Sequence, residues 1–317
     1  MSEQKFGLII NPYAKQIKKN YMANNRRFWS AFLNSEECEL PEGMEKVRPA
    51  IARQLERGIN TLGIFGGDGT INLVLTELLK MKASPLPAIL PFRGGTINAL
   101  CNNLGNKDAP EDTLKKFLGI TPSHHFQTYK HLIRVEESRD GDPELRYGFS
   151  FANGALVRAY NEYYKSKNPG FGAAVRIIMK IFTTGMVSLG YGRGVLAPVD
   201  MKVRIPGLMD REDKFRVVVA SVLENPTLWW KPFGNELNGQ PAFHYLVNSM
   251  ATYELAWNMW DLFNGRTNHP SHSVGQTGEV DVESEGGYIL DGEVFGVDKK
   301  LSIKITLGPA LKFISIS

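Results

Sequence analysis

The chain has 317 residues, 43% hydrophobic and 22% charged, with a formal net charge of +4. That balance excludes a largely disordered chain and suits about two globular domains. Cys38 and Cys101 are the only cysteines, which excludes a disulfide scaffold and a cysteine-rich zinc module. The start, Met-Ser-Glu-Gln-Lys, carries no apolar leader, and no run approaches the roughly 18 apolar residues of a membrane span. The expectation is a cytoplasmic protein with no nucleic-acid partner.

Strand and helix signals alternate over the first 120 residues. Phe6–Ile10 is a short apolar run ended by Asn11-Pro12 and reads as a buried strand. Arg48–Arg57 reads as a helix, Thr61–Phe65 as a strand, Ile71–Met81 as a helix and Leu86–Leu90 as a third strand. Helices follow over Ile97–Leu104 and Asp112–Leu118. Such alternation predicts a parallel sheet covered by helices.

The texture changes near residue 126. Strand patterns follow at His131–Val135, Tyr147–Phe151, Met201–Ile205, Phe215–Val222, Ala242–Val247, Glu279–Val282 and Leu301–Ile305. Turn signals such as Asp140-Gly141-Asp142-Pro143 and Asn238-Gly239 separate them. Helices are expected around Phe171–Leu189 and Tyr253–Phe263. The fold class expected is therefore an α/β nucleotide-binding lobe, 1–126, followed by a mainly antiparallel β-sandwich lobe, 127–307, with a cleft between them.

The sharpest chemical signal is Gly66-Gly67-Asp68-Gly69-Thr70, which follows a predicted strand and opens a predicted helix. Glycines let backbone approach a polyphosphate, and the helix N-terminus offers N–H groups and the positive end of its dipole. A carboxylate there would repel phosphate unless a cation intervened, so Asp68 points to magnesium, directly or through water. The alternative reading is a connecting turn with Asp68 as a helix cap. A second glycine loop, Arg93-Gly94-Gly95-Thr96, follows the third strand, and Asn11-Pro12 ends the first. Loops at the carboxyl ends of parallel strands converge on one ligand site. Near the C-terminus, Ile289-Leu290-Asp291-Gly292-Glu293 reads by itself as a hairpin turn.

In chain order, Leu8–Pro12, Phe65–Asn72, Pro91 with Gly95–Asn98, and Leu290–Glu293 resemble the lipid kinases that share the diacylglycerol kinase catalytic domain. That family includes sphingosine kinases and bacterial lipid kinases. The resemblance runs from about residue 5 to 315. It implies an ATP- and magnesium-dependent kinase of lipid metabolism that moves the γ-phosphoryl group of ATP to a lipid hydroxyl of diacylglycerol or sphingoid type. It further implies nucleotide contacts from Asn11, Gly66, Gly67, Asp68, Gly69, Thr70, Asn72, Gly95 and Thr96. Asp68 would serve the metal, Asp291 would be the general base, and Glu293 would support it. A last strand, Ala310–Ile316, would return to the first lobe and complete it over about 308–317.

Departures from the pattern accompany the resemblance. Many bacterial members carry Asn-Asp where this chain has Asn98-Ala99, a version closer to the sphingosine kinases. Asn238-Gly239 replaces an Asp-Gly that helps hold a structural metal in several bacterial members, which leaves a second metal site open. An NAD kinase-like enzyme on the same scaffold remains an alternative; it would need an Asn-Glu pair to read the adenosine ribose, and Asn161-Glu162 is such a pair, though it lies among Tyr and Lys. A non-catalytic nucleotide- or lipid-binding protein is the other alternative.

The segment Arg158–Arg204 holds eight basic and two acidic residues, a net +6. Gly172–Leu189 sets Arg176, Lys180 and Thr183 or Thr184 on a narrow polar stripe beside a wide apolar face. Such a helix could line an acyl cavity, rest on the inner face of a membrane as a peripheral contact, or pack in a core. Trp229, Trp230 and Phe233 could anchor at an interface or simply pack. His269 and His272, with Pro270 between them, read as a loop rather than a metal site. Oligomeric state, a homodimer included, and the identity of the lipid stay open.

Overall fold

The computed structural model describes residues 5–14, 35–120, 124–138, 143–165, 176–177, 179–180, 183–184, 194–226, 230–234, 237, 240–297 and 300–316. Residues 140–142 and 238–239 of the expected turns, most of the expected helix 171–189, and Trp229 lie outside the described residues. The chain divides into two compact units: residues up to His131 with those from Pro309 onward, and Leu132–Gly308.

The first unit is an α/β layer. Strands β1 (Phe6–Ile10), β2 (Cys38–Glu39), β3 (Thr61–Gly66) and β4 (Ala88–Arg93) run parallel in the order β2-β1-β3-β4. The strands β1, β3 and β4 are buried almost without interruption, as strands covered on both faces are. One face packs Phe6, Leu8, Ile10, Phe65, Leu90 and Phe92 against Leu114 and Phe117 of α4 (Pro110–Phe117). The other face meets α1 (Val47–Glu56), and Gly7 of β1 is the residue on which Gln54 of α1 sits. α2 (Asp68–Lys80) and α3 (Ala99–Leu104) follow β3 and β4. The last strand described, β16 (Lys300–Ile316), ends in this unit: Phe313 pairs in parallel with Ile89. Buried Asn106 locks that end by accepting from Ile316 N (2.8 Å) and donating to the Ile314 carbonyl (3.0 Å).

The second unit is built from antiparallel strands: β5 (His125–Ser138, which enters from the first unit), β6 (Glu144–Gly148), β7 (Ser150–Gly154), β8 (Val199–Ile205), β9 (Met209–Phe215), β10 (Val217–Ser221), β11 (Phe243–Asn248), β12 (His272–Thr277), β13 (Glu279–Glu285), β14 (Tyr288–Leu290) and β15 (Glu293–Phe295). One sheet has the order β12-β11-β10-β7-β14-β15. In the other, the start of β16 pairs with β13, β13 with β8, β8 with β9, and β5 with β6. β8 and β13 alternate buried and open residues, the pattern of strands with one face on a core. The sheets are cross-linked inside that core. Asn153 of β7 donates to Ser284 of β13 (2.8 Å). Tyr288 of β14 donates to Glu137 of β5 (3.0 Å), and Arg146 of β6 pairs with the same carboxylate (2.9 Å). Arg146 also lies over the Phe295 ring at 4.1 Å.

Several boundaries differ from the pattern-based expectation. The run Tyr147–Phe151 is two strands in different sheets, because the chain crosses over at Phe149. The strand expected from Phe215 breaks at Arg216, whose buried guanidinium donates to the Met250 and Leu196 carbonyls. β9 escapes the pattern because it is charged and mostly exposed. Helix α5 (Ala155–Tyr164) escapes because its cap is Gly154 at φ 77°, which gives no start signal. The helix expected over Tyr253–Phe263 is two short ones, α6 (Thr252–Trp257) and α7 (Met259–Phe263). His269 lies in a loop and His272 begins β12.

Two measurements test this core. Glu137 is fully buried, and Glu137→Ala would strip Arg146 and Tyr288 of their shared acceptor. The expected loss is about 3 kcal/mol in denaturant unfolding, and Tyr288→Phe should cost about 1 kcal/mol. Burial holds His244 down to about 4, and burial with His269 nearby holds His272 down to about 4, from 6.5. Both fold neutral, so unfolding takes up protons between those values, and stability should fall as pH drops from 6.5 toward 4. His244→Leu should reduce the proton uptake near pH 5 by about one, read from unfolding midpoints across pH.

Candidate functional site

In the first unit, three loops follow β1, β3 and β4. Their closeness is set by glycine. Gly66 and Arg93 are paired across the parallel ladder, and Gly94 N donates to the Gly66 carbonyl at 2.9 Å. A Cβ on Gly94 would lie 2.8 Å from that carbonyl oxygen. A Cβ on Gly95 would lie 2.7 Å from the Gly67 Cα. These are backbone atoms that cannot swing aside, so the two glycine loops touch only because neither has a side chain. The third loop is tied in by Asn11, whose Nδ2 donates to Thr70 Oγ1 at 2.8 Å. Its Oδ1 accepts from Tyr13 N at 2.9 Å, and its own N–H donates to the Phe65 carbonyl.

Asp68 and Asn98 complete the network. Asp68 is the first residue of α2, after Gly67, and its carboxylate faces the start of α3. Leu100 N donates to Asp68 Oδ1 at 3.3 Å, and the N–H groups of Ala99 and Asn98 also bond it. Desolvation outweighs these bonds and raises the Asp68 carboxyl above its ordinary 3.8. Asn98 holds the second loop: Gly95 N donates to its Oδ1 (2.9 Å) and its Nδ2 donates to the Gly95 carbonyl (3.0 Å). That grip needs a left-handed backbone, φ 54° and ψ 48°, which Asn tolerates better than most residues.

Of the residues expected to serve a nucleotide, Asn11, Gly66, Gly67, Asp68, Thr70 and Gly95 are brought together. Gly69 lies half-buried in the first turn of α2, Thr96 is exposed, and Asn72 is buried inside α2 at 5% exposure. Pattern reasoning assigned no role to Gly94 or Asn98, although both sit in the quoted motif. Among the described residues no group of three or more His, Cys, Asp or Glu is arranged to hold a metal. Magnesium needs only one or two carboxylates when phosphate oxygens complete its shell. Asp68 suits that role chemically: it is desolvated, and backbone N–H groups bond its carboxylate.

In the second unit, Asp291 and Gly292 form the two-residue loop between β14 and β15, with Leu290 opposite Glu293. Their φ values, 47° and 85°, are both positive, as a type I′ hairpin requires. The hairpin reading therefore holds, yet the side chain has a second task. Asp291 Oδ2 accepts from Phe149 N (2.9 Å), Oδ1 accepts from Ser150 N (2.8 Å), and Asp291 N donates to the Ser150 carbonyl (3.0 Å). Phe149 is where the chain crosses between sheets, so the carboxylate serves N–H groups at the crossover. Tyr160 of α5 donates to the Gly292 carbonyl and accepts from Tyr164 Oη (3.0 Å), packing a tyrosine cluster on the hairpin. Glu293 is an exposed residue whose carboxyl is still raised by partial desolvation, and burial raises the Tyr160 hydroxyl. Asn161-Glu162 lies on α5, where Glu162 pairs with Lys165 at 2.8 Å.

Residues 5–125 match the family model of the diacylglycerol kinase catalytic domain. That is the family the motifs resemble; the Leu290–Glu293 segment lies beyond the matched residues. No curated protein matches the sequence. Among solved structures, a candidate diacylglycerol kinase from Bacillus anthracis str. Sterne is 15% identical with a TM-score of 0.67, covering 99% of this chain and 97% of that one. A diacylglycerol kinase from the same organism is 13% identical with a TM-score of 0.62 over the same shares. Yeast NADH kinase is 10% identical with a TM-score of 0.50, covering 98% of this chain and 83% of that one. At these identities the likeness is one of fold: a parallel, helix-covered lobe and an antiparallel one.

The raised Asp68 carboxyl makes a signed prediction. Ionised Asp68 opposes folding, so its cost is absent below about pH 3.8 and grows as pH rises through its folded value. Asp68→Asn should therefore unfold at a higher temperature than the parent at pH 7 and at the same temperature in strong acid. Gly95→Ala should push the loops apart and cost about 1–3 kcal/mol, read by denaturant unfolding.

Proposed function

We propose, on the premise that residues 5–125 are a diacylglycerol kinase catalytic domain, that the chain is an ATP- and magnesium-dependent lipid kinase. It transfers the γ-phosphoryl group to a lipid hydroxyl of diacylglycerol or sphingoid type. The observation that carries this reading is the locked meeting of three loops at the ends of β1, β3 and β4, joined by Gly67 against Gly95, Asn11 to Thr70, and Asp68 to the start of α3. Phosphoryl transfer depends mainly on positioning and charge neutralisation, and a rigid loop set supplies positioning without reorganisation.

In this reading the backbone around Gly66–Gly69 and the first turn of α2 receives the triphosphate. Asp68 is the carboxylate that would hold magnesium, which when bound offsets charge on the phosphate oxygens. Asp291 accepts the proton of the lipid hydroxyl. Its two N–H bonds from Phe149 and Ser150 fix the carboxylate's direction. Glu293 and Tyr160 keep the hairpin in place. Peripheral contact with a membrane belongs to the same reading, since the acceptor lives there.

The experiment is purified protein with labelled ATP and magnesium against diacylglycerol, sphingoid bases, ceramide and phosphatidylglycerol. Phosphorylation of one lipid class is expected. Asp291→Asn should bind ATP as the parent does and lose about 100-fold or more of turnover. Hydrolysis of ATP indifferent to every lipid, or full turnover by Asp291→Asn, would retire the proposal.

A further inference from the structure

The hairpin that carries Asp291 is short and lies at one end of the six-stranded sheet. Its strands β14 and β15 are three residues each, and β15 is the last strand in the sheet order. The chain enters the hairpin through Gly287 and leaves it through Gly296, both at positive φ. Glycine lends such a root no stiffness of its own. The root is held instead by its cross-strand pair, Tyr288 and Phe295, whose rings stack at 5.4 Å.

Arg146 of β6 clasps both members of that pair. Its Nη1 donates to Tyr288 Oη at 2.9 Å, and its guanidinium lies 4.1 Å from the centre of the Phe295 ring. Buried Glu137 accepts from the same Nη1 (2.9 Å) and from Tyr288 Oη (3.0 Å), and Glu144 pairs with Nη2 at 2.6 Å. A planar guanidinium can fork to carboxylates and stack on a ring at once, which an ammonium cannot. At its tip the hairpin returns to the exit of the same strand. β6 runs through Arg146 to Gly148, and the next two N–H groups, those of Phe149 and Ser150, bond the Asp291 carboxylate. Arg146 and Phe149 are three residues apart, and so are Tyr288 and Asp291. Two equal spans of backbone are thus joined at both ends, by Asp291 at the tip and by Arg146 at the root. In such a closed ring a shift at one junction is passed to the other.

We propose that Arg146 is the positioning residue of Asp291: by gripping Tyr288 and Phe295 it sets where the carboxylate meets Phe149 and Ser150. Its purpose rests on the lipid-kinase reading, in which Asp291 must come within hydrogen-bond reach of an acceptor hydroxyl. The bonds from Phe149 and Ser150 aim the carboxylate only while the hairpin stays in place, and a pivot at its glycine root would carry Asp291 off them. Neutralising Glu137 does not by itself call for arginine, since any cation would serve. The contact with Phe295 adds nothing to that ion pair and bears on β15 alone. A displacement near 1 Å, caused at a distance from the reacting atoms, costs about 100-fold in rate.

The test is the full chain carrying Arg146→Lys, Phe295→Leu or Phe295→Tyr, read by amide exchange at Phe149 and Ser150 and by turnover of ATP with the lipid panel. Arg146→Lys keeps a cation for Glu137 and loses the stacked plane. Phe295→Leu keeps the contacts among Arg146, Glu137 and Tyr288 and loses the ring, so it carries the test if Arg146→Lys does not fold. Both should speed exchange of the two N–H groups by about tenfold or more, while exchange in β10 and β11 stays as in the parent. Their kcat should fall by about 10- to 100-fold with the KM for ATP unchanged. Phe295→Tyr, which restores the ring, should behave as the parent. Parent-like exchange at Phe149 and Ser150 in Phe295→Leu overturns the proposal, whatever its melting temperature. Parent-like kcat in that variant of an active parent overturns it as well. If the parent phosphorylates no lipid while exchange responds as expected, the kinase reading falls and the hold of Arg146 on the Asp291 carboxylate stands.

Discussion

The close passage of two backbones governs the first unit. Gly95 can lie against Gly67 only because neither position carries a Cβ, and Gly94 sits over the Gly66 carbonyl on the same terms. Once the loops after β3 and β4 are in van der Waals contact, the side chains beside them have little freedom. Asp68 meets the open N–H groups at the start of α3, and Asn98 turns left-handed to grip Gly95 from both sides. Glycine is usually credited with letting a ligand come close. Here its first task is to let two pieces of the same chain come close, and any phosphate site is a consequence of that.

The second unit solves a related problem with the opposite means. When the chain leaves β6 for β7 at Phe149, N–H groups at the crossover need acceptors, and unpaired backbone in a core is costly. The Asp291 carboxylate supplies both bonds from the tip of a hairpin. That hairpin is itself held from the core side by Tyr288, whose hydroxyl joins Glu137 and Arg146. A side chain suited to proton transfer is therefore also part of the local architecture. Its orientation is overdetermined by backbone, and a group that must meet a substrate in one geometry benefits from such support.

The Asp68 carboxylate shows a tension between folding and chemistry. Asp68 is desolvated beyond what its N–H partners offset, so holding it ionised works against the fold. Sites of this kind are where titration behaviour departs from the ordinary, and they recur where ligands of opposite charge bind. Stability lost at such a position is the usual companion of function.

Much of this was legible without coordinates, and the reason is local. Buried parallel strands are continuous apolar runs, so β1, β3 and β4 announced themselves, and Gly-Gly-Asp-Gly between strand and helix marked the loop by composition alone. Asp291-Gly292 was readable as a turn for the same reason: a type I′ hairpin writes its φ requirement into residue choice. What the pattern could not contain was partnership across distance. That Gly67 answers Gly95, that Asp68 serves α3 rather than its own helix, and that Asp291 bonds Phe149 and Ser150 are matters of packing between segments remote in sequence. The charged edge strand β9 and the glycine-capped α5 hid because neither periodicity nor a start signal marks them. Residue types and spacing determined the elements and the loops that could bear chemistry. Only the tertiary structure decided which backbone each polar side chain answers, because that choice is made by contacts no local pattern encodes.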